Sequence, residues 1–328
     1  MATTVRIATF NLENFDDPGP TGEPSLATRI SVTRPQFERL RADLVCLQEV
    51  NSQNVNGVRT FAALDQLIAG TPYATFHRAF TTIAAGTMPL DVRNLVILSR
   101  FPIASSRQIK HDITPRPAYR RVTAIPPDAN AIDITWERPI LQADVTLPDG
   151  STLHVLNLHL KSKLPTDIPG QHPTQFLWNS ASGWAEGSFI SAMKRLGQAL
   201  EARMLIDGLF DADAQARIVL CGDLNADLDE VPLEAMRGDV ENTGNPALIS
   251  RLMIPCERNI PAPARFSLYH QGRPVMLDHI LVSRPLLSYW QGSAAHNEIL
   301  HDESVAFAVD ATFPESDHAP VVAEFLLP

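Results

Sequence analysis

The sequence predicts a mixed α/β domain, and three observations support that class. Short apolar runs of strand type alternate with helical periodicity through the early part of the chain. Ile218-Val219-Leu220-Cys221 has the composition of a strand buried on both faces, and it stops abruptly at Gly222, followed by Asp223-Leu224-Asn225. Polar residues that interrupt other strand ends run from Asn11 to His318 with no linker between them. The 328 residues are therefore expected to form one domain, 1–328, although the length would allow two.

Taken in order, Val5 to Phe10 alternates as a first strand and ends in Asn11-Leu12-Glu13-Asn14. Thr33, Pro35 and Gln36 have the spacing of a capping box for a helix reaching Arg41. Asp43 to Gln48 is then a buried strand that delivers Glu49 at its end. Arg59 to Ile68 repeats the helix signal, Tyr73 to Arg78 the strand signal, and Asn94 to Ser99 is a further apolar strand. Ser105 to Pro139, rich in Pro and Arg, is the least regular stretch. Ile140 to Leu147 and Thr152 to Leu158 alternate around Pro148-Asp149-Gly150 as a hairpin that runs into His159. Thr166 to Gly187 is expected to be an irregular excursion, and Ser188 to Leu209 the longest helix. Glu230 to Arg237 is a short helix with Pro232 in its first turn. Arg265 to His270 and Pro274 to Ser283 make a second hairpin with Asp278 in mid-strand, and Ser316 to Pro320 opens a closing strand through Phe325.

Composition narrows the classes. A hydrophobic share of 45% excludes disordered and fibrous chains, and a net charge of −10 argues against non-specific coating of a polyanion. Cys46, Cys221 and Cys256 lack the spacing of a zinc knuckle, and as buried thiols they point to a reducing compartment. With no leader pattern and no run of membrane-spanning length, a cytoplasmic protein without stable membrane association or an obligate protein partner is expected.

Asn11, Glu49, His159, Asp223, Asn225, Asp278, Asp317 and His318 are the polar residues that collect at strand ends. Carboxylates with amide oxygens make a hard cation site, suited to Mg²⁺ or Mn²⁺ rather than to zinc or copper. Histidines beside carboxylates can be held in one tautomer with a raised pKa. A cation, a carboxylate that orients water and an imidazole facing a phosphate together meet the needs of hydrolytic attack at phosphorus.

Thr9-Phe-Asn-Leu-Glu13, Leu47-Gln-Glu-Val50, Asn157-Leu-His-Leu160, Cys221-Gly-Asp-Leu-Asn225, Leu277-Asp-His-Ile-Leu281 and Ser316-Asp-His-Ala-Pro320 resemble, in this order, the signature blocks of the endonuclease/exonuclease/phosphatase superfamily with its deoxyribonuclease I-like fold. The resemblance implies a four-layer α/β/β/α sandwich, two packed mixed β-sheets flanked by helices. It implies Glu49 as principal metal ligand with Asn11 and Asp317 on the metal side, Asp223 as the residue that orients the attacking water, and Asn225 holding that water or a phosphate oxygen. His159 would face the phosphate and Asp278 would orient His318. Some relatives support the central histidine with a glutamate; this sequence offers no matching Glu, and Asp91 is the candidate in its place. Glu13 joins Asn11 only if the first strand continues. His279, adjacent to Asp278, is expected to face the opposite side of its strand as a structural residue.

Lys161, Lys163, Arg93 and Asn94 are the candidate substrate-binding residues. Arg107 to Arg121 holds five Lys or Arg and one Asp, either a solvated loop or a phosphate-contacting stretch with Tyr119 for stacking. Trp178 and Trp184 are expected to anchor the excursion. No nucleophile elbow, Walker loop or zinc helix is present in the sequence. The reading favoured is a phosphodiester hydrolase of nuclease type acting on a phosphate ester, including nucleic acid. A sphingomyelinase-like or a sugar or inositol phosphate hydrolase is the alternative, and a catalytically silent binder the rival of another class.

Overall fold

The computed structural model describes residues 2–19, 22–83, 86–174, 176–308 and 312–328. The sandwich strands are, in chain order, Thr3–Phe15 (β1), Leu44–Val50 (β2), His77–Phe80 (β3), Asn94–Ser99 (β4), Ile103–Ile109 (β5), Ile140–Thr146 (β6), Thr152–His159 (β7), Arg217–Asp223 (β8), Met253–Pro255 (β9), Asp278–Ser283 (β10), Trp290–Ala295 (β11) and Val321–Leu327 (β12). They form two six-stranded sheets in the orders β11-β12-β1-β2-β4-β3 and β9-β10-β8-β7-β6-β5. Each sheet has one parallel pair at its centre, β1/β2 in the first and β7/β8 in the second, and is otherwise antiparallel. A parallel pair needs a crossover, and both crossovers are helical. Leu26–Leu40 (α1) joins β1 to β2, and Ala181–Ala212 (α3) joins β7 to β8; Ala62–Ile68 (α2) and Val231–Arg237 (α4) complete the helical layers.

Alternation along the strands builds the layers. Val5, Ile7, Leu44 and Cys46 of the first sheet meet Val155, Val219, Cys221 and Ile280 of the second in an apolar layer between the sheets. Ala8, Phe10, Val45 and Leu47 point the other way and pack with α1 and α2. Leu156, Leu158, Ile218 and Leu220 do the same with α3 and α4. The result is the four-layer sandwich expected. Near one end of the inner layer the apolar series gives way to polar residues that pair across the gap: Gln48 Nε2 donates to Asn157 Oδ1 at 2.7 Å, and Asn157 Nδ2 donates to the carbonyls of Leu47 and Val96.

Several element boundaries differ from expectation. The first helix starts at Ser25, whose Oγ accepts from Thr28 N, so Thr33 and Pro35 lie inside the helix and not at its cap. Val58–Thr60 is a short strand before α2, and Pro72–Thr75 is a 3₁₀ turn, which leaves only His77–Phe80 extended. Ile103–Ile109 is a full edge strand despite its polar composition, because only one of its two edges is covered. α3 begins at Ala181, seven residues earlier than expected. Gly183 and Gly187, read as loop residues, are there for close approach: a Cβ on Gly183 would meet the side chain of Gln171 at 2.5 Å, and one on Gly187 the Thr166 carbonyl oxygen at 2.5 Å. The second hairpin is only Leu268–His270 with Arg273–Val275. Asp278 opens a different strand, so it sits at a strand end and not in mid-strand. No helix among the described residues is long and apolar enough to cross a membrane.

Candidate functional site

The carboxyl ends of β1, β2, β7 and β8 meet the beginning of β10 and the segment before β12 at one edge of the sandwich. Register places the groups. His159 pairs with Asp223 across β7/β8, and Asp223 pairs with Asp278 across β8/β10. Positions 155, 157 and 159, 219, 221 and 223, and 278, 280 and 282 share the inward face of their strands, so His159, Asp223 and Asp278 continue the inner layer where it opens to solvent. Gly222 makes the approach possible: its φ is 146°, and a Cβ there would collide with the carbonyl oxygen of Leu158.

Glu49 arrives by a different route. Strict alternation would turn it to the helix side with Leu47, but the β1/β2 and β2/β4 registers both shift there and Glu49 has φ 58°, so a bulge re-aims its carboxylate to the inner edge. Glu13 and Asn14 are also left-handed, at φ 48° and 47°. Arg29 from α1 holds them, its guanidinium donating to the carbonyls of Leu12, Glu13 and Asn14 at 2.9, 3.0 and 3.2 Å. Asn14 N then donates to Glu49 Oε2, and Asp317 N to Glu13 Oε2. The strand does bend past Asn11, yet Glu13 still reaches this edge.

Asp223 Oδ2 is the hub. It accepts from Asn11 Nδ2 at 3.0 Å and Asn225 Nδ2 at 3.1 Å, and lies 3.1 Å from His159 Nε2 and 3.8 Å from His318 Nε2. His159 Nε2 is 3.6 Å from Glu49 Oε1. His318 Nδ1 lies 2.6 Å from Asp278 Oδ2, while Ser316 Oγ accepts from His318 N and donates to the Asn11 carbonyl. Glu49, Asp223, Asp278 and both histidines are thus gathered in one cleft, with Asn11, Asn225 and Asp317 around them.

Burial alone would raise the Asp223 carboxyl, but the imidazoles of His318 and His159 outweigh it and hold the group far below the usual range. Glu49 is also lowered: burial opposes ionisation, and His159, Arg138 and Arg93 overcome it. Burial would depress His318, but Asp278 and Asp223 raise it well above the ordinary histidine value, so its imidazolium is favoured at neutral pH. Asp278 is raised by burial. Asp317 is pushed up to about 8, first by burial and then by Glu13, Glu303 and Glu49, against the opposing pull of His318.

These carboxylates test whether a divalent cation fits. Asp317 Oδ1 is buried with no hydrogen-bond partner among the described residues, and the Asp317 carboxyl shares its surroundings with those of Glu13 and Glu49. A cluster of carboxyl oxygens in which burial and neighbouring acids oppose the ionisation of Asp317 fits Mg²⁺ or Mn²⁺, whose charge would relieve both. Asp223, Asp278 and His318 also lie close enough together to ligate an ion. Within that trio His318 Nδ1 is 2.6 Å from Asp278 Oδ2.

The substrate-binding expectations divide. Arg93 is exposed at the rim, with Nε donating to Asn14 Oδ1 at 3.0 Å. Asn94 is fully buried, its amide donating to Val50 O and Leu90 O and accepting from Thr81 Oγ1 and Leu90 N, so it shapes the turn and does not face a ligand. The ammonium groups of Lys161 and Lys163 are engaged elsewhere, on Ser162 and Leu164 and on Glu230 at 2.5 Å. Asp91 is paired with Arg59, and His159 Nδ1 is buried without a hydrogen-bond partner among the described residues, so none of these supports the histidine from its Nδ1 side. His279 faces away, as expected, bonded to Glu257 and the Ala226 carbonyl. Tyr119 donates to Glu186; Trp178 packs on His172, whereas Trp184 is half-exposed and anchors little. Sequence reasoning missed Arg29 and Arg138. The second is buried with its guanidinium 3.4 Å from the His159 carbonyl, and neither carries a local pattern that could have revealed it.

Residues 8–318 match the family model described as Endonuclease/Exonuclease/phosphatase family, and the chain belongs to that family. Its members are in general metal-dependent phosphoester hydrolases that use divalent ions. Similar solved structures include truncated TDP2 of Caenorhabditis elegans, at 14% identity and TM-score 0.57 over 98% of this chain and 97% of that one. A family protein of Bacteroides thetaiotaomicron matches at 14% identity and TM-score 0.57 over 100% and 96% of the two chains. An AP endonuclease from Archaeoglobus fulgidus matches at 16% identity and TM-score 0.51 over 98% and 99%. No curated protein sequence matches the chain.

Proposed function

We propose that this protein is a divalent-metal-dependent phosphodiesterase of nuclease type. The observation that carries the reading is the convergence on Asp223 Oδ2 of Asn11, Asn225, His159 and His318 beside the Glu49 carboxylate and the buried Asp317 Oδ1, which has no hydrogen-bond partner among the described residues. Glu49 and Asp317 would hold Mg²⁺ or Mn²⁺ with Asn11 nearby, and the ion would supply Lewis-acid polarisation of a phosphoryl oxygen. Asp223 and Asn225 align the attacking water between them. A carboxylate held as low as Asp223 stays ionised to orient the water, and His159, whose Nε2 lies 3.1 Å from that carboxylate, faces the phosphate. His318, kept protonated by Asp278, offers its Nε2 proton to charge that develops on the phosphate. Arg93 and Arg138 add positive charge at the rim and beneath the site, which favours an anionic substrate.

Two of the structural neighbours are named for TDP2 and for an AP endonuclease, which supports a phosphodiester, and nucleic acid within that class, as substrate. A panel of single-stranded DNA, duplex DNA, RNA, sphingomyelin and inositol phosphates with Mg²⁺ or Mn²⁺ tests this. Turnover highest on a nucleic acid is expected. Preference for sphingomyelin or an inositol phosphate would replace the nuclease reading, and no turnover on any would leave a binding protein on the same scaffold.

A further inference from the structure

The loop that carries Asn225 is held from behind by a pair of residues outside the cleft. Glu257, in the turn Cys256–Asn259 that follows β9, and His279, the second residue of β10, are both fully buried, with Glu257 Oε1 2.5 Å from His279 Nδ1. His279 and Leu281 share the outward face of β10, and Leu281 lies in the apolar layer with Leu224, Ala226, Leu233 and Met236. A buried ion pair gains little or no stability over apolar side chains of the same volume, so stability alone does not account for this one.

What an apolar pair could not do is hold a carbonyl. His279 Nε2 lies 2.9 Å from the Ala226 carbonyl oxygen. A carbonyl oxygen only accepts, so Nε2 carries a proton, and Glu257 on the Nδ1 side keeps the ring turned that way. Ala226 directly follows Asn225, whose φ is 48°, a conformation that a non-glycine residue keeps only where its surroundings over-determine it. Here they act on both sides of the residue. Before it, Leu224 N donates to the Leu277 carbonyl at 2.8 Å, and Asn225 N itself donates to Asp223 Oδ1 at 3.0 Å. After it, the bond from His279 fixes the carbonyl of the next residue. Between these anchors the Asn225 amide donates to Asp223 Oδ2 at 3.1 Å and to the Leu160 carbonyl at 3.2 Å.

We infer that His279, kept in orientation by Glu257, is a positioning residue that sets the backbone after β8 so that Asn225 meets Asp223 and the attacking water. β10 then serves the cleft from both of its faces with consecutive residues, Asp278 inward to His318 and His279 outward to the loop that follows Asn225. His279 thus adds to the proposed function, and its role rests on the one given there to Asn225.

Two substitutions each keep half of the arrangement. In His279→Asn the side-chain amide takes the place of Nδ1 and still meets Glu257 but falls short of Ala226, whereas in His279→Gln it reaches the Ala226 carbonyl. With bis-p-nitrophenyl phosphate and Mg²⁺, His279→Asn should lower kcat by about 10- to 100-fold at a KM within about twofold, and His279→Gln should stay within about threefold of wild type. In an Asn225→Ala background, His279→Asn should cost less than about twofold more, because its effect runs through that side chain. The crystal structure of His279→Asn should show Asn225 out of the left-handed region and its bonds to Asp223 broken. Wild-type kcat in His279→Asn, a loss that adds in full to that of Asn225→Ala, equal losses in the two His279 variants, or a His279→Asn chain that does not fold would each overturn the inference. So would an Asn225 that keeps its φ and both Asp223 bonds in that variant. A wild-type chain without turnover would instead defeat the proposed function, and the crystal structure would then decide the role of His279 by itself.

Discussion

The two sheets are built to one plan and reach the cleft in opposite ways. In each, a central parallel pair with a helical crossover sends its strand ends to the same edge. The second sheet does so in regular register, and Asp223 and Asp278, in this sheet, have their carboxylates held by hydrogen bonds from Asn11, Asn225 and His318. The first sheet arrives through left-handed residues at Glu13, Asn14 and Glu49, clamped by Arg29. Regular register fixes groups that hold each other at hydrogen-bond distance, whereas bulged backbone brings to the inner edge a Glu49 carboxylate that alternation would turn to the helices. Under the proposed function, the water-orienting and acid–base work falls to the regular side and cation binding to the bulged side.

Substitutions on the two sides should therefore fail differently. Asp223→Ala, at the hub, should lower kcat/KM on bis-p-nitrophenyl phosphate by at least about 10³-fold while the thermal transition stays nearly in place. Retained activity would remove Asp223 from its role. Glu49→Gln should cost about 10²-fold and shift the Mg²⁺ titration to roughly tenfold higher concentration, where Asp223→Ala should leave any residual Mg²⁺ dependence unshifted. An unchanged titration for Glu49→Gln would break the division of labour. Asp278→Asn should act through pH. His318 is raised by Asp278 and Asp223, so activity that needs its proton persists as pH rises and falls only through that raised value; without the Asp278 charge, burial pulls the histidine down and the alkaline limb should move at least about one unit toward acid. A profile that keeps its alkaline limb would show that His318 does not act as imidazolium. The smallest effect on rate belongs to Asn94→Ala, which should cost about 1–3 kcal/mol of stability by orphaning buried backbone groups and leave kcat/KM of the folded protein within about twofold.

The same contrast decides what the sequence revealed. On the regular side period-two alternation is enough: His159, Asp223 and Asp278 continue inward series of residues two apart, and His279 falls on the outer face as parity requires. On the bulged side parity fails, because it would turn Glu49 toward the helices and leaves Glu13 undecided; only the backbone conformation resolves both. Arg29 and Arg138 were invisible because their partners are carbonyls remote in sequence, and a carbonyl carries no side-chain signature. Asn94 misled for the converse reason, since a polar residue at a strand end satisfies a turn as readily as it faces a ligand. The start of α3 was obscured by Gly183 and Gly187, which read as loop residues but are there for close approach to Gln171 and Thr166.

The most direct test is the rate of bis-p-nitrophenyl phosphate hydrolysis by the wild-type 328-residue chain as Mg²⁺ or Mn²⁺ is added to metal-free protein. Saturable turnover that EDTA abolishes and either ion restores is the predicted result. Turnover indifferent to both ions and to EDTA, or none at any ion concentration, would contradict it.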